Sequence, residues 1–188
     1  MLPDSILKSL GRAYRQCIEK SAKQYDPLPE KPKNRNAWIG REAEKIWVAD
    51  VLPNHTGVVE DSTGIDPPTA VSNTGDPRRT DAVAILAGET AQFELKKSDY
   101  GGTRVRNQIA AQTFCLGLGT YGARTLNVLY SDEGRIDIYT REQAEKQVKA
   151  AMGRGSEFET PPPSRSIHFA PSSAPADQPK PQQAQRFG

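Results

Sequence analysis

Two carboxylates and a lysine fall within the short stretch from Arg79 to Lys97, RTDAVAILAGETAQFELKK. Asp81 opens one apolar run, Gly88 interrupts it, and a second run carries Glu94-Leu95-Lys96. Two strands joined at Gly88-Glu89 make a hairpin, with glycine at the first central position as a type II′ turn requires. In that register Asp81 lies opposite Lys96, and Val83 lies opposite Glu94. Side chains alternate along a strand, and opposed residues of an antiparallel pair share a face. Asp81, Glu94 and Lys96 therefore converge. Two carboxylates beside one lysine suit the holding of a hard divalent cation and the activation of water.

Such a site needs elements to position it. Upstream, residues 36–52 (NAWIGREAEKIWVADVL) have helical periodicity, with Ile39, Ala43, Ile46, Trp47, Val48 and Val51 on one broad apolar arc. Glu44 falls inside that arc, where a carboxylate is expensive unless a partner or a metal meets it. Downstream, residues 103–116 predict a second helix on which Arg104, Gln108 and Gln112 recur every four residues and share a stripe. Further strands are expected at 57–60, 125–130 and 135–139. A helix follows Thr140, with Gln143 placed for a capping box. Residues 63–78 read as a long loop beside Asp81.

The pattern Asp81…Glu94-Leu95-Lys96 resembles the PD-(D/E)XK nuclease superfamily, the fold of restriction-endonuclease-like and RecB-like nucleases and of bacterial nuclease toxin domains. The proline usual before the aspartate is replaced here, where Arg79-Thr80 stands. Gly40 and Glu44 match the Gly-x-x-x-Glu pattern by which the family's first helix supplies a glutamate to the metal site. A glutamine on the helix after the ExK strand is a recurrent accessory residue in these nucleases. Gln108 is the first choice for it, and Gln112 the second.

The resemblance covers residues 36–140. It implies an α/β fold with a restriction-endonuclease-like αβββαβ core, a mixed central sheet flanked by helices. It implies that Asp81 and Glu94, with the Leu95 carbonyl, hold Mg²⁺ or Mn²⁺, and that Glu44 binds a second ion or a water of the first. Lys96 then acts as a cationic stabiliser or, with a lowered pKa, as a base. Arg79, Lys97, Arg104, Arg106 and Gln112 are the expected nucleic-acid contacts, with Arg78 beside them.

Four segments are expected. Residues 1–26 form an amphipathic helix whose apolar face carries Ile6, Leu7, Leu10, Tyr14, Cys17 and Ile18. Residues 27–35 are a Pro-rich linker, 36–152 the nuclease-like core, and 153–188 a disordered tail rich in Pro, Ser and Gln. Within that tail Ile167, His168 and Phe169 make a small apolar island. Two cysteines, Cys17 and Cys115, are too few for a zinc site or a disulfide framework; Cys17 is expected at the surface and Cys115 in the core. No run is long and apolar enough to span a bilayer, and no export signal opens the chain. These features predict action in the cytoplasm, reached by another export route if the chain is a toxin.

Other chemistries fit less well. His55 and His168 cannot supply a two-histidine mechanism, and no phosphate-binding GxxxxGK[ST] loop is present. The net charge of +2 does not itself indicate nucleic acid. The expected function is metal-dependent cleavage of DNA, as a toxin domain with a cognate immunity protein or as a restriction, repair or mobile-element enzyme. A tRNA-cleaving toxin and a non-catalytic scaffold that kept the fold are the alternatives.

Overall fold

The computed structural model describes residues 2–56, 59–61, 80–97, 103–119, 124–130, 134–154, 158 and 162–169. The chain is a mixed α/β protein. Among the described residues, six strands form one sheet in sequence order. They are β1 (Val59–Asp61), β2 (Ala82–Leu86), β3 (Glu89–Lys96), β4 (Arg124–Tyr130), β5 (Arg135–Tyr139) and β6 (Arg165–His168). All neighbours are antiparallel except β3 and β4, which run parallel. A parallel pair needs a crossover, and α4 (Thr103–Gly117) lies in the connection between them.

The hairpin at the centre differs from expectation in its turn and its register. Ala82 pairs with Phe93, Val83 with Gln92, and Leu86 with Glu89. The two central turn residues are Ala87 and Gly88, both with positive φ, as a type I′ turn demands. Continuing the ladder by one residue puts Asp81 opposite Glu94, not Lys96. The slip is by two residues, and a period-two strand returns every side chain to the same face after such a slip. The convergence of Asp81, Glu94 and Lys96 therefore survives the correction.

Alternation along β3 makes the sheet two-sided. Ala91, Phe93 and Leu95, with Ala82, Ala84 and Leu86 of β2, join one apolar core under α1 (Asp4–Tyr25) and α2 (Arg35–Ile46). Leu7, Leu10, Tyr14, Cys17 and Ile18 bury one face of α1 in that core, so Cys17 is interior and not at the surface. The opposite face of β3, carrying Gln92, Glu94 and Lys96, meets α4, beside which α5 (Arg141–Arg154) packs. The expected helix at 36–52 is built in two parts. Asn34 caps α2 by accepting from the Ala37 amide at 3.0 Å. After Ile46 the helix widens into a π-turn over Trp47–Val51, closed by the Leu52 amide donating to the Trp47 carbonyl at 2.9 Å. A short helix, α3 (Pro53–Thr56), follows. Among the described residues, no helix is long and apolar enough to cross a membrane.

The C-terminal segment corrects the expectation of a wholly disordered tail. Residues 165–168 add β6 to the free edge of β5, and the Phe169 amide donates to the Gly134 carbonyl at 2.8 Å. Ile167 and Phe169, the apolar island of the sequence, are buried in the core on the α1 side. Phe169 lies so close to α1 that a Cβ built at Gly11 would stand 2.7 Å from its ring. Arg165 reaches the N-terminal end of α1, donating to Asp4 Oδ1 at 2.6 Å and to the Leu2 carbonyl at 3.0 Å. The Thr140 hydroxyl lies 3.1 Å from that of Ser164, which joins the start of α5 to this returning strand.

Candidate active site

Glu94 is the hub. Its side chain is completely buried at the centre of the sheet. A carboxylate there needs donors on both oxygens, and three side chains supply them. Lys96, two residues along the same strand and so on the same face, forms an ion pair and a hydrogen bond with Oε1. Gln108 Nε2 also donates to Oε1, at 2.6 Å. Gln112 Nε2 donates to Oε2 at 2.8 Å and is itself completely buried. Residues four apart on a helix share a face, and that spacing lets α4 hold both carboxylate oxygens at once.

Asp81 stands just before β2. Its amide donates to the Phe93 carbonyl at 2.9 Å, and its Oδ2 accepts from the Leu95 amide at 2.5 Å. These two bonds fix the aspartate beside the Glu-x-Lys segment. Burial is the main cause that pushes the Asp81 carboxyl well above the usual range, followed by the charges of Glu94 and Glu44; Lys96 and the Leu95 amide oppose the rise only in part. The Glu44 carboxyl on α2 is raised for the same reasons, burial first and then Glu94. Burial alone would lower the Lys96 ammonium. Glu94 and then Asp81 reverse this, so that its pKa lies above the ordinary lysine value. Lys96 is thus held as a cation in this arrangement and not poised as a neutral base.

The sequence missed two side chains. Tyr14 of α1 is buried with its ring edge-on to Trp47 at 6.4 Å, and Trp47 in turn meets Phe93 at 5.4 Å. Burial and then Asp81, Glu44 and Glu94 drive the Tyr14 phenol pKa upward, so its hydroxyl stays protonated near the carboxylates. Its aromatic type on an apolar face signals only core packing, and nothing local marks it as a site residue. Gln92 is the other, completely buried on the Glu94 face of β3. The signal available was a polar residue two positions before Glu94 within an apolar strand.

The expected nucleic-acid contacts are less unified. Gln112 faces inward to Glu94 and has no access to a ligand at the surface. Lys97, on the opposite face from Lys96, donates to Asn36 Oδ1 at 3.0 Å and so touches the start of α2. Arg106 is exposed on α4. Arg104 lies in the first turn of α4, but its side chain, like Arg78 and Arg79, lies outside the described residues.

Among the described residues, no three His, Cys, Asp or Glu side chains gather closely enough to enclose a metal ion. Asp81 and Glu94 are cross-strand neighbours, while Glu44 acts on them from α2. The donor chemistry nevertheless suits a hard divalent cation. The charges of three carboxylates act on one lysine, and two of them, Asp81 and Glu44, carry raised proton affinity, first from burial and then from the neighbouring carboxylates. Comparisons of the chain with protein-family models, with curated proteins and with solved structures found no match.

Proposed function

We propose that this protein is a metal-dependent nuclease of the PD-(D/E)XK type, hydrolysing phosphodiester bonds with DNA as substrate. The observation that carries the reading is the Asp81–Glu94–Lys96 constellation, with Glu94 held by Gln108 and Gln112 of the following helix. The supporting context is the element order: a helix with Glu44, three antiparallel strands, a crossover helix and a parallel fourth strand. That order is the one expected of the restriction-endonuclease-like core that the sequence resembles.

In this reading Asp81 and Glu94 would hold Mg²⁺ or Mn²⁺, with the negative charge of Glu44 acting on the same site. The bound metal would lower the pKa of water and polarise a phosphodiester oxygen. Lys96, kept cationic, offsets the charge that grows on the phosphate oxygens as water adds to phosphorus and the bridging P–O bond breaks. Gln108 and Gln112 keep Glu94 from turning. Arg106 lies on the helix flanking the site, where it offers charge to the backbone of a nucleic acid. A toxin domain with an immunity protein and a restriction or repair enzyme share this chemistry.

The test is incubation of purified protein with supercoiled plasmid and, separately, with total tRNA. Each is run with Mg²⁺, Mn²⁺ or EDTA, beside Asp81→Asn, which keeps an oxygen for the Leu95 amide. Plasmid cleavage that needs metal and vanishes in the variant is the expected result. Cleavage of tRNA alone would move the substrate to RNA. No cleavage and no metal binding by folded protein would sink the reading in favour of a scaffold.

A further inference from the structure

Among the described residues the Gln92 amide has no protein partner, in a place where amides are costly. It is completely buried, and neither its side-chain oxygen nor its nitrogen meets a hydrogen-bonding group of those residues. Its cross-strand neighbours are Val83 on β2 and Leu126 on β4, whose side chains neither donate nor accept. The backbone groups of the ladder are committed to pairing the strands. The amide therefore has to find its partner in the layer between β3 and α4.

Leaving such a group unsatisfied forfeits the hydrogen bonds it makes to water in the unfolded chain. Proteins hold about one buried water per 27 residues, each typically making about three hydrogen bonds to polar groups that would otherwise be unsatisfied. A carboxylate offers about four acceptor directions. Glu94 uses two on Oε1, for Lys96 and Gln108, and one on Oε2, for Gln112. One direction on Oε2 is left. Gln92 lies two residues before Glu94 on the same face of the strand.

We propose that Gln92 binds ordered water between β3 and α4, and that through this water Gln92 is a positioning residue for Glu94. The water donates to the remaining acceptor direction of Oε2 and accepts from the Gln92 amide, so the carboxylate is held from the sheet side as well as from α4, and a metal ion would take the direction on Oε1 that Lys96 occupies in the metal-free protein. The water site rests on burial and hydrogen bonding alone. The positioning role rests on the reading of Glu94 as a metal-site carboxylate.

The experiment pairs a high-resolution crystal structure with the nearly isosteric variant Gln92→Met and the amide-retaining Gln92→Asn. The structure is expected to show water within hydrogen-bonding distance of the Gln92 amide. Gln92→Met is expected to melt at lower temperature than wild type, because it strands the water. It is also expected to weaken Mn²⁺ binding, read by calorimetry, by about 10-fold or more, the usual effect of losing an outer partner of a metal ligand. Gln92→Asn, with room for one more water, recovers most of the Mn²⁺ affinity, which a purely steric role would not allow. A dry layer in the density would overturn the water site. So would a rise in melting temperature for Gln92→Met, since only an amide without a partner is better replaced by an apolar chain. Unchanged Mn²⁺ affinity in Gln92→Met would overturn the positioning role. Wild-type protein that binds no Mn²⁺, while the water and the melting shift come out as expected, would overturn the nuclease reading and the positioning role and leave the water site standing.

Discussion

The two faces of β3 are both largely buried and chemically opposite. Ala91, Phe93 and Leu95 look toward α1 and α2 and are lined entirely by apolar contacts in the core. Gln92, Glu94 and Lys96 look toward α4, where a carboxylate, an ammonium and amides pack out of water. An apolar face contributes stability in proportion to the area it removes from water. A buried polar face rarely does, because desolvation offsets what its ion pairs and hydrogen bonds return. The comparison teaches where to look for function: at the buried surface that stability alone would not have built.

The contrast can be broken at its strongest point first. Phe93→Ala is expected to cost about 3–5 kcal/mol of stability, as large aromatic truncations in a core do, measured by the shift in urea midpoint. A loss below about 1 kcal/mol would mean that this face is not the core that Trp47 and Phe93 indicate. Asp81→Asn is expected to act in the opposite way. Cleavage should fall by about 10³-fold, the scale of losing a key electrostatic group. The melting temperature should rise by about 2–4 °C, equivalent to about 1 kcal/mol in a chain of this size. Activity and stability moving together in that variant would erase the distinction between the faces.

Gln112→Leu tests the α4 side of the polar face. It leaves Oε2 of a buried carboxylate without its amide donor, and metal affinity or cleavage should drop by about 10–100-fold. The same change at Gln108, which is less buried, should cost less; equal effects would show that the two glutamines are interchangeable.

The pH dependence gives a sharper reading of the same face. The folded-state pKa of Asp81 is raised, by burial and then by Glu94 and Glu44. Below the unfolded value both states carry the proton, and Asp81 adds no dependence. Above it the unfolded chain releases the proton first, so stability falls as pH rises toward the folded pKa. Glu44 acts in the same sense. In metal-free protein the advantage of Asp81→Asn in melting temperature should therefore grow from about pH 4 toward neutrality, at no more than about 1.4 kcal/mol per pH unit. An advantage that shrinks with pH would show that Asp81 is not under electrostatic stress. The smallest effect is at the hairpin. Ala87 has φ 50°, a region glycine adopts without penalty, and Ala87→Gly should stabilise by about 0.4–1 kcal/mol, seen as a small rise in melting temperature with cleavage unchanged.

Sequence alone determined the alternation of ETAQFELK, the helical arcs of α1 and α2, and the glutamine spacing of α4, because each is a local period in the chain. It brought Asp81, Glu94 and Lys96 to one face even with the wrong register, since a two-residue slip leaves the facing intact. Tertiary structure alone decided the rest. That Gln112 turns inward to Glu94 depends on how α4 settles over the sheet. The place of Tyr14 near the carboxylates depends on α1 docking through Trp47, a contact across 33 positions of the chain. The strand at Arg165–His168 exists because β5 offers it an edge; four residues in a polar segment carry too little local preference to form a strand by themselves. Local periodicity places side chains on faces, but only long-range packing decides which faces meet, and the chemistry at Glu94 depends on that meeting.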